Sequence, residues 1–161
     1  MQAHGIAVAL PAGFEGRIFK RVGEGPELPC AVAHFATFAL PEEVGDFGGG
    51  AVQLMGDTDV FASLFEYGPE SVGTRLFAHQ GMPRALTTAD FRPYVLRRGL
   101  PGQSGTQWFF TEAGRPFTLY VVLGSHVRRS SLVPRANALL ERVDVGPVPT
   151  PPVTPVGAPW N

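Results

Sequence analysis

Proline and glycine recur so often in this sequence that they limit the length of every regular element. The 161 residues include 20 glycines and 16 prolines, whereas 44% of them are apolar and 17% are charged. Both residue types favour turns, and proline disrupts the interior of helices. The composition therefore favours short strands joined by turns over a helical bundle. The length is typical of one domain with a single core.

Several segments between these turns have the composition and alternation of β-strands. "HGIAVAL" (4–10) and "EGRIFKRV" (15–22) flank the turn "LPAG", in which Pro11 and Gly13 suit a type I turn. We therefore predict a β-hairpin from these two segments. The other predicted strands are a central strand over 30–40, a strand over 59–68, and a meander of 94–98, 106–112 and 116–124.

One segment in the last third of the chain has the apolar spacing of an amphipathic helix. Ser130 or Ser131 can cap this helix, Pro134 is tolerable in its first turn, and a closing strand "VDV" (143–145) follows. The order of elements predicts an α+β fold, in which an antiparallel β-sheet packs with one or two helices as an α/β sandwich. The apolar stripe of the predicted helix consists of Leu132, Val133, Ala136, Leu139, Leu140 and Val143.

The composition of the chain changes at Gly146. "GPVPTPPVTPVGAPWN" has six prolines in sixteen residues, which disfavours helix and central strand and favours polyproline II. We therefore predict a single α+β domain over residues 1–145 and an extended Pro-rich C-terminal tail over residues 146–161. The tail is expected to dock along its own domain or a neighbouring subunit. The residues expected to make these contacts are Pro151, Pro152, Pro155 and Trp160.

The stretch "PGQSGTQ" (101–107) places a serine between two glycines and raises the question of a nucleophile. A nucleophile elbow requires Gly-x-Ser-x-Gly between a strand and a helix. Gly102 and Ser104 fit that pattern, but its last position is Thr106 and a strand-like segment follows. Pro101 and Gly102 instead suit the centre of a type II turn, with Gly102 at positive φ. We therefore interpret the stretch as a hairpin turn and Ser104 as a turn residue.

The other residues that could carry chemistry are scattered along the chain. The four histidines stand at no metal-binding spacing, and "GDTD" (56–59) lacks the further ligands of a calcium loop. We interpret His34 as a satisfied core or interface residue and His79 and His126 as loop residues. Cys30 is the single cysteine, which excludes an intramolecular disulfide, and it is predicted to be a small core or strand residue. We predict no catalytic residue, no cofactor and no metal ion.

Charge is distributed unevenly along the chain, although the formal net charge is only −1. Residues 1–70 carry three basic and ten acidic side chains, and residues 71–161 carry ten basic and four acidic ones. Two halves of opposite net charge indicate either a basic face that binds a partner or head-to-tail self-association. Neither follows if folding interleaves the two halves, because their fields then cancel. Arg128, Arg129 and Arg135 form a candidate basic patch. Nucleic-acid binding would require a basic balance overall, so we do not expect it.

Two stretches near the ends of the chain resemble a known family. "IAVALPAGFEGRIF" has a strand, Leu-Pro-x-Gly-aromatic and a second strand, and it resembles the start of PsbP-like domains. "FTLYVVLGS…LVPRANALLERVDV", a strand and then a helix, is similar to the way in which those domains close. The resemblance implies an α/β sandwich and a non-catalytic accessory or assembly role. It carries over no site residue.

The cellular location is predicted from two features of the sequence. The N-terminal segment lacks the basic region of a signal peptide, and no apolar run reaches the ~20 residues needed to span a bilayer. We therefore expect a cytoplasmic protein. Lys20 is the single lysine among thirteen basic residues. This bias towards arginine is typical of GC-rich genomes, and we expect a bacterial protein.

The predicted function is non-enzymatic binding or assembly. The chain would self-associate or join a larger complex through a protein partner, with the Pro-rich tail as docking segment. Two alternatives stay open. One is a small hydrolase-like enzyme whose site forms only in three dimensions, with His79 or His126 beside a carboxylate in a deep pocket. The other is a small-ligand binding module that uses Trp108, Phe109 and Phe110.

Overall fold

The computed structural model describes residues 1–21, 30–43, 45, 47–93 and 100–148. In this part of the chain, two antiparallel β-sheets and one α-helix form an α+β fold, which confirms the predicted fold class. The predicted strand 94–98 and the tail from Pro149 onwards lie outside the described residues. The domain boundary between residues 145 and 146 therefore stays a prediction.

Within the described residues, eight strands build the two sheets. They are β1 (Gln2–Ala3), β2 (Ile6–Val8), β3 (Glu15–Lys20), β4 (Ala31–Ala36), β5 (Val60–Glu66), β6 (Ser104–Glu112), β7 (Arg115–Leu123) and β8 (Val143–Val145). The larger sheet has the spatial order β3–β4–β5–β7–β6, and the smaller sheet has the order β1–β2–β8. The helix α1 spans Arg129–Leu140, and short 3-10 helices span Val52–Leu54, Pro69–Ser71, Arg75–Phe77 and Thr88–Asp90.

The helix α1 packs against the two neighbouring strands β5 and β7 and closes the main core. Five residues of the predicted apolar stripe lie on α1 and are at most 5% exposed, whereas the sixth, Val143, is buried in β8 and not on the helix. Burying a leucine or valine side chain contributes about 1.5–3 kcal/mol, so this stripe holds the helix on the sheet. In the described ranges no helix is long and apolar enough to cross a membrane.

The start of α1 differs from the prediction. The helix begins at Arg129, so the predicted capping by Ser130 or Ser131 is wrong. Instead the Ser125 hydroxyl accepts a hydrogen bond from the Arg128 N–H (3.3 Å) ahead of the first turn. Pro134 lies in the second turn, one turn later than predicted, on the exposed side of the helix.

The first two predicted strands do not pair with each other, so the predicted hairpin is wrong. Strand β2 pairs with β1 and β8 in the smaller sheet, whereas β3 pairs with β4 in the larger sheet. Between them the Phe14 N–H donates to the Pro11 carbonyl (3.1 Å), and Gly13 has a φ of +80°. Glycine therefore occupies the third position of the turn, as in type II, and the turn directs the chain from one sheet to the other.

Two tight turns lie at the same end of the molecule. His4 and Gly5 join β1 to β2, and Ala113 and Gly114 join β6 to β7. These four residues have φ values of 52°, 75°, 51° and 74°, which is the geometry of two-residue hairpin turns of type I′. Both turns adjoin a cleft between the two sheets.

Candidate binding cleft

A cleft of about 340 Å³ opens at the end of the larger sheet, where β5 ends and β7 begins. Its walls come from both sheets and from the 3-10 helix that follows β5. The volume lies at the lower end of the range of roughly 300–1,000 Å³ that is typical of ligand pockets. The residues that define its chemistry include Glu66, Tyr67, Val72, Arg115, Pro116 and Val148.

An ion pair forms the floor of the cleft. The Arg115 Nε and Nη2 atoms donate to the two carboxylate oxygens of Glu66, at 2.7 and 2.8 Å. Nη1 donates to the carbonyls of Gly146 (3.0 Å) and Gly5 (3.4 Å), and Nη2 also donates to the carbonyl of His4 (3.0 Å). A guanidinium has five N–H donors, and these five contacts occupy all of them.

The network joins the two sheets, because Arg115 and Glu66 belong to the larger sheet, whereas the three carbonyls belong to the β1–β2 turn and to the residue that follows β8 in the smaller sheet. The Arg115 side chain is 3% exposed and that of Glu66 is 14% exposed. A second donor, the Ala31 N–H, reaches the Glu66 carboxylate at 3.0 Å. The floor is therefore a neutral, hydrogen-bonded pair rather than a charge that waits for an ionic ligand.

The rim of the cleft is apolar. Val72 is 43% exposed and Val148 is 64% exposed, and Pro69 and Pro116 line the same cleft. Apolar side chains that line a concave surface favour a ligand with apolar groups, because contact removes both surfaces from water. We name these four residues together with Tyr67 the apolar rim.

Tyr67 is the aromatic member of the rim, and its position is fixed by neighbouring rings. The centroid of its ring lies 5.0 Å from that of Phe65 and 5.0 Å from that of Phe77. Burial raises the pKa of the Tyr67 phenol above its ordinary value, so the hydroxyl keeps its proton and can donate a hydrogen bond. A fixed aromatic ring with one polar atom suits recognition of an extended chain.

Three further polar side chains line the cleft. Lys20 is exposed, and His4 and Cys30 are half-buried. Cys30 was predicted to be a core or strand residue, but it precedes β4 and contributes to the cleft wall. The side chains of Lys20 and His4 can donate hydrogen bonds to the carbonyls of a bound segment.

The structure brings the predicted basic patch to the start of α1, at the opposite end of β5 from the cleft. Arg128 pairs with Asp57 at 2.9 Å, and both side chains are more than half exposed. Arg129 donates to the His126 carbonyl (2.8 Å), and Arg135 donates to the Thr58 carbonyl (2.7 Å). The three arginines thus bind the loop before β5 and the turn before the helix. Partner binding by this patch stays a prediction.

Ser104 lies in the core rather than on a turn. The Gln103 N–H donates to the Leu100 carbonyl (3.1 Å) and Gly102 has a φ of +87°, so the type II turn is present with Pro101 and Gly102 at its centre, as predicted, and Ser104 lies just after it. Ser104 is the first residue of β6 and is 0% exposed. Its hydroxyl has no hydrogen-bond partner in the part of the chain that the structure describes. A substrate could not reach this oxygen in the folded state.

We expect Ser104→Ala to stabilise the protein by about 1 kcal/mol, because the substitution removes a buried hydroxyl without a partner. Gly102→Val should destabilise it by about 1–2 kcal/mol, since a β-branched residue is strained at positive φ. Gly102→Asn is the matched control and should cost less, because asparagine tolerates that conformation. Urea unfolding measures all three variants. Labelling of Ser104 by a fluorophosphonate probe would contradict this interpretation.

Among the histidines and aromatic residues weighed as site residues, His34 and Trp108 pack within the fold, whereas His79 is exposed. His34 is 0% exposed, with its ring 5.2 Å from that of Phe19 and 5.5 Å from that of Phe61. The exposed His79 lies 6.3 Å from the half-buried Trp108. Among the described residues, no group of three or more metal-ligating side chains could hold an ion. The loop before β5 is a turn, as interpreted from the sequence.

The other two members of the aromatic run also pack within the fold. Phe110 is 0% exposed and stacks on Phe117 at 6.0 Å. Phe109 is half-buried and contacts the Phe77 ring edge-on at 5.7 Å. His126 is half-buried beside the start of α1, whereas the histidine of the cleft is His4.

Reasoning from the sequence missed the ion pair at the floor. The signal was present, since Glu66 follows Val60, Ala62 and Leu64 on one face of the predicted strand. A carboxylate at the end of an apolar face needs a buried partner. Arg115 has the same position relative to the apolar face of β7, two residues before Phe117.

Comparisons of the chain with protein-family models, with curated protein sequences and with solved structures find no significant match. The resemblance to PsbP-like domains therefore stays a prediction. A function is therefore inferred from the residues that line the cleft.

Proposed function

We propose that the protein is a non-enzymatic binding and assembly protein whose cleft receives an extended, apolar, proline-containing segment. The observation that carries the proposal is an apolar rim above a floor whose ion pair is already fully hydrogen-bonded. Such a site offers contact area and a few hydrogen-bond donors. Apart from the exposed Lys20, the described residues that line the cleft offer no charge outside the ion pair to select an ionic ligand.

The rim has the features of sites that recognise polyproline II segments. These segments keep three residues per turn and make no internal hydrogen bonds, so their carbonyls are open to outside donors. Proteins that bind them use aromatic and apolar grooves together with such donors. Tyr67, Pro69 and Pro116 supply the groove, while Lys20 and the Tyr67 hydroxyl supply donors.

The Pro-rich tail has the chemistry of a ligand for such a site. Residues 146–161 contain no charged side chain, six prolines and one tryptophan. Pro151, Pro152, Pro155 and Trp160 would provide the apolar contacts. The proposal therefore includes a protein partner or a second copy of the chain, no nucleic acid, and a cytoplasmic location.

The proposal is tested with synthetic peptides in excess over the full chain. Peptides that repeat Pro-Pro-Val should slow the alkylation of Cys30 by N-ethylmaleimide, because this thiol lies on the cleft wall. Val72→Glu should weaken their binding at least about tenfold, which corresponds to about 1.4 kcal/mol, because docking would desolvate the new carboxylate. The matched control is Val127→Glu, at an 86% exposed position before α1, which should bind like the wild type.

Two results would refute this function. One is an alkylation rate that no proline-containing peptide changes. The other is an equal loss of peptide affinity in Val72→Glu and Val127→Glu. That result would show that an added negative charge anywhere on the protein, rather than damage to the apolar rim, weakens binding. Peptides of the same length built from Glu and Lys provide the ligand control and should leave the rate of Cys30 alkylation unchanged.

A further inference from the structure

We infer that the cleft binds the Pro-rich tail of a second copy of this chain, so that two copies assemble by exchanging their tails. This inference rests on the proposed function and names its ligand. Val148, the last described residue before the tail continues, is itself part of the apolar rim. Donor segment and acceptor site are thus adjacent on each copy, and two copies that exchange tails would meet at this end of the fold.

The reach of the tail favours a second copy over the same chain. A polyproline II segment rises about 3.1 Å per residue and stays stiff over several residues. In that conformation the twelve steps from Val148 to Trp160 would span about 37 Å, starting from the cleft itself. A cleft of about 340 Å³ that begins at Val148 is much shorter than this span, so Pro155 and Trp160 would lie beyond their own cleft, where a neighbouring copy can receive them.

The arrangement of charge is compatible with this assembly but would not drive it. Strands β3, β4 and β5 come from the acidic half of the chain, and β7 and β6 come from the basic half, so the halves lie side by side in the larger sheet. The tail itself carries no charge. We therefore expect the mass of the assembly to stay constant between about 0.05 and 0.5 M salt, over which exposed ion pairs are progressively screened.

Complementation between two defective full-length variants tests the inference. Val72→Glu damages the cleft and keeps the tail, while the fourfold variant Pro151→Ala, Pro152→Ala, Pro155→Ala, Trp160→Ala keeps the cleft. Each variant alone should elute with the mass of one chain, 17.2 kDa, in light scattering after size exclusion. Their mixture should form a one-to-one complex of twice that mass. Wild type and Val127→Glu should assemble on their own.

A mixture of the two variants that stays at the mass of one chain would overturn the inference, as would a wild type that stays monomeric at high concentration. Assembly that dissolves as salt rises would also overturn it and would assign the contact to the charged halves. A peptide of residues 147–161 separates the two proposals. If this peptide slows Cys30 alkylation while the chain stays monomeric, the binding function stands and self-assembly fails. If no proline-containing peptide slows it, both fail.

Discussion

Arg115→Ala is expected to lower the free energy of unfolding by about 3 kcal/mol, because it leaves a carboxylate that is only 14% exposed without its ionic partner. Five hydrogen bonds disappear with the guanidinium, and the carbonyls of His4, Gly5 and Gly146 lose their donor. A domain of this size is stable by about 5–15 kcal/mol, so the variant loses a large part of the total. Urea unfolding followed by circular dichroism measures the loss.

Arg128→Ala is the matched control, since it also removes an arginine that pairs with a carboxylate. The side chains of Arg128 and Asp57 are 55% and 63% exposed, against 3% and 14% for the Arg115–Glu66 pair. Exposed pairs contribute about 0.5 kcal/mol or less. The double variant Arg115→Met, Glu66→Gln should recover part of the loss, because no buried charge remains. Equal effects of Arg115→Ala and Arg128→Ala would contradict the role of the floor in joining the sheets.

The alternation of apolar residues predicts much of the larger sheet. Strands β4 to β7 and the helix α1 lie within or close to their predicted segments, because period-two and helical spacing report which face of an element is buried. The same pattern does not report which strand is the neighbour. Ile6 and Val8 are buried as an apolar strand requires, yet they pair with β8 from the far end of the chain. Proximity in sequence suggested the hairpin with β3, and non-local pairing overrode it.

The cleft could be predicted only in part for a related reason. A charged residue on an apolar face, such as Glu66, indicates that a partner exists but not where it is. Its partner Arg115 is 49 residues away and is brought there by the pairing of β5 with β7. The carbonyls that complete the network come from the β1–β2 turn and from the end of β8, where main-chain direction rather than side-chain type supplies the chemistry. The positions of these main-chain carbonyls cannot be predicted from residue types, apart from a glycine such as Gly5 that marks a turn at positive φ.

Gly124→Ala is expected to destabilise the protein by about 3 kcal/mol, because the end of β7 touches the backbone of the turn before β5. An added Cβ would overlap the Gly56 carbonyl oxygen and would lie 2.9 Å from the Gly56 carbonyl carbon. The turn cannot move away easily. The Gly124 N–H donates to the Asp59 carbonyl (2.8 Å), and the Asp59 carboxylate accepts from the Gly56 N–H (2.7 Å) and the Thr37 hydroxyl (2.9 Å).

Gly49→Ala separates this contact from the general effect of replacing glycine. A Cβ at Gly49 would meet no atom within 4 Å, and Gly49 is not among the glycines with positive φ. The alanine should therefore leave stability unchanged or raise it by about 0.5 kcal/mol, because it restricts the unfolded chain. Thermal and urea unfolding of the two variants give the comparison. A Gly124→Ala variant as stable as Gly49→Ala would show that the turn at Gly56 yields, and that the end of β7 is not fixed by it.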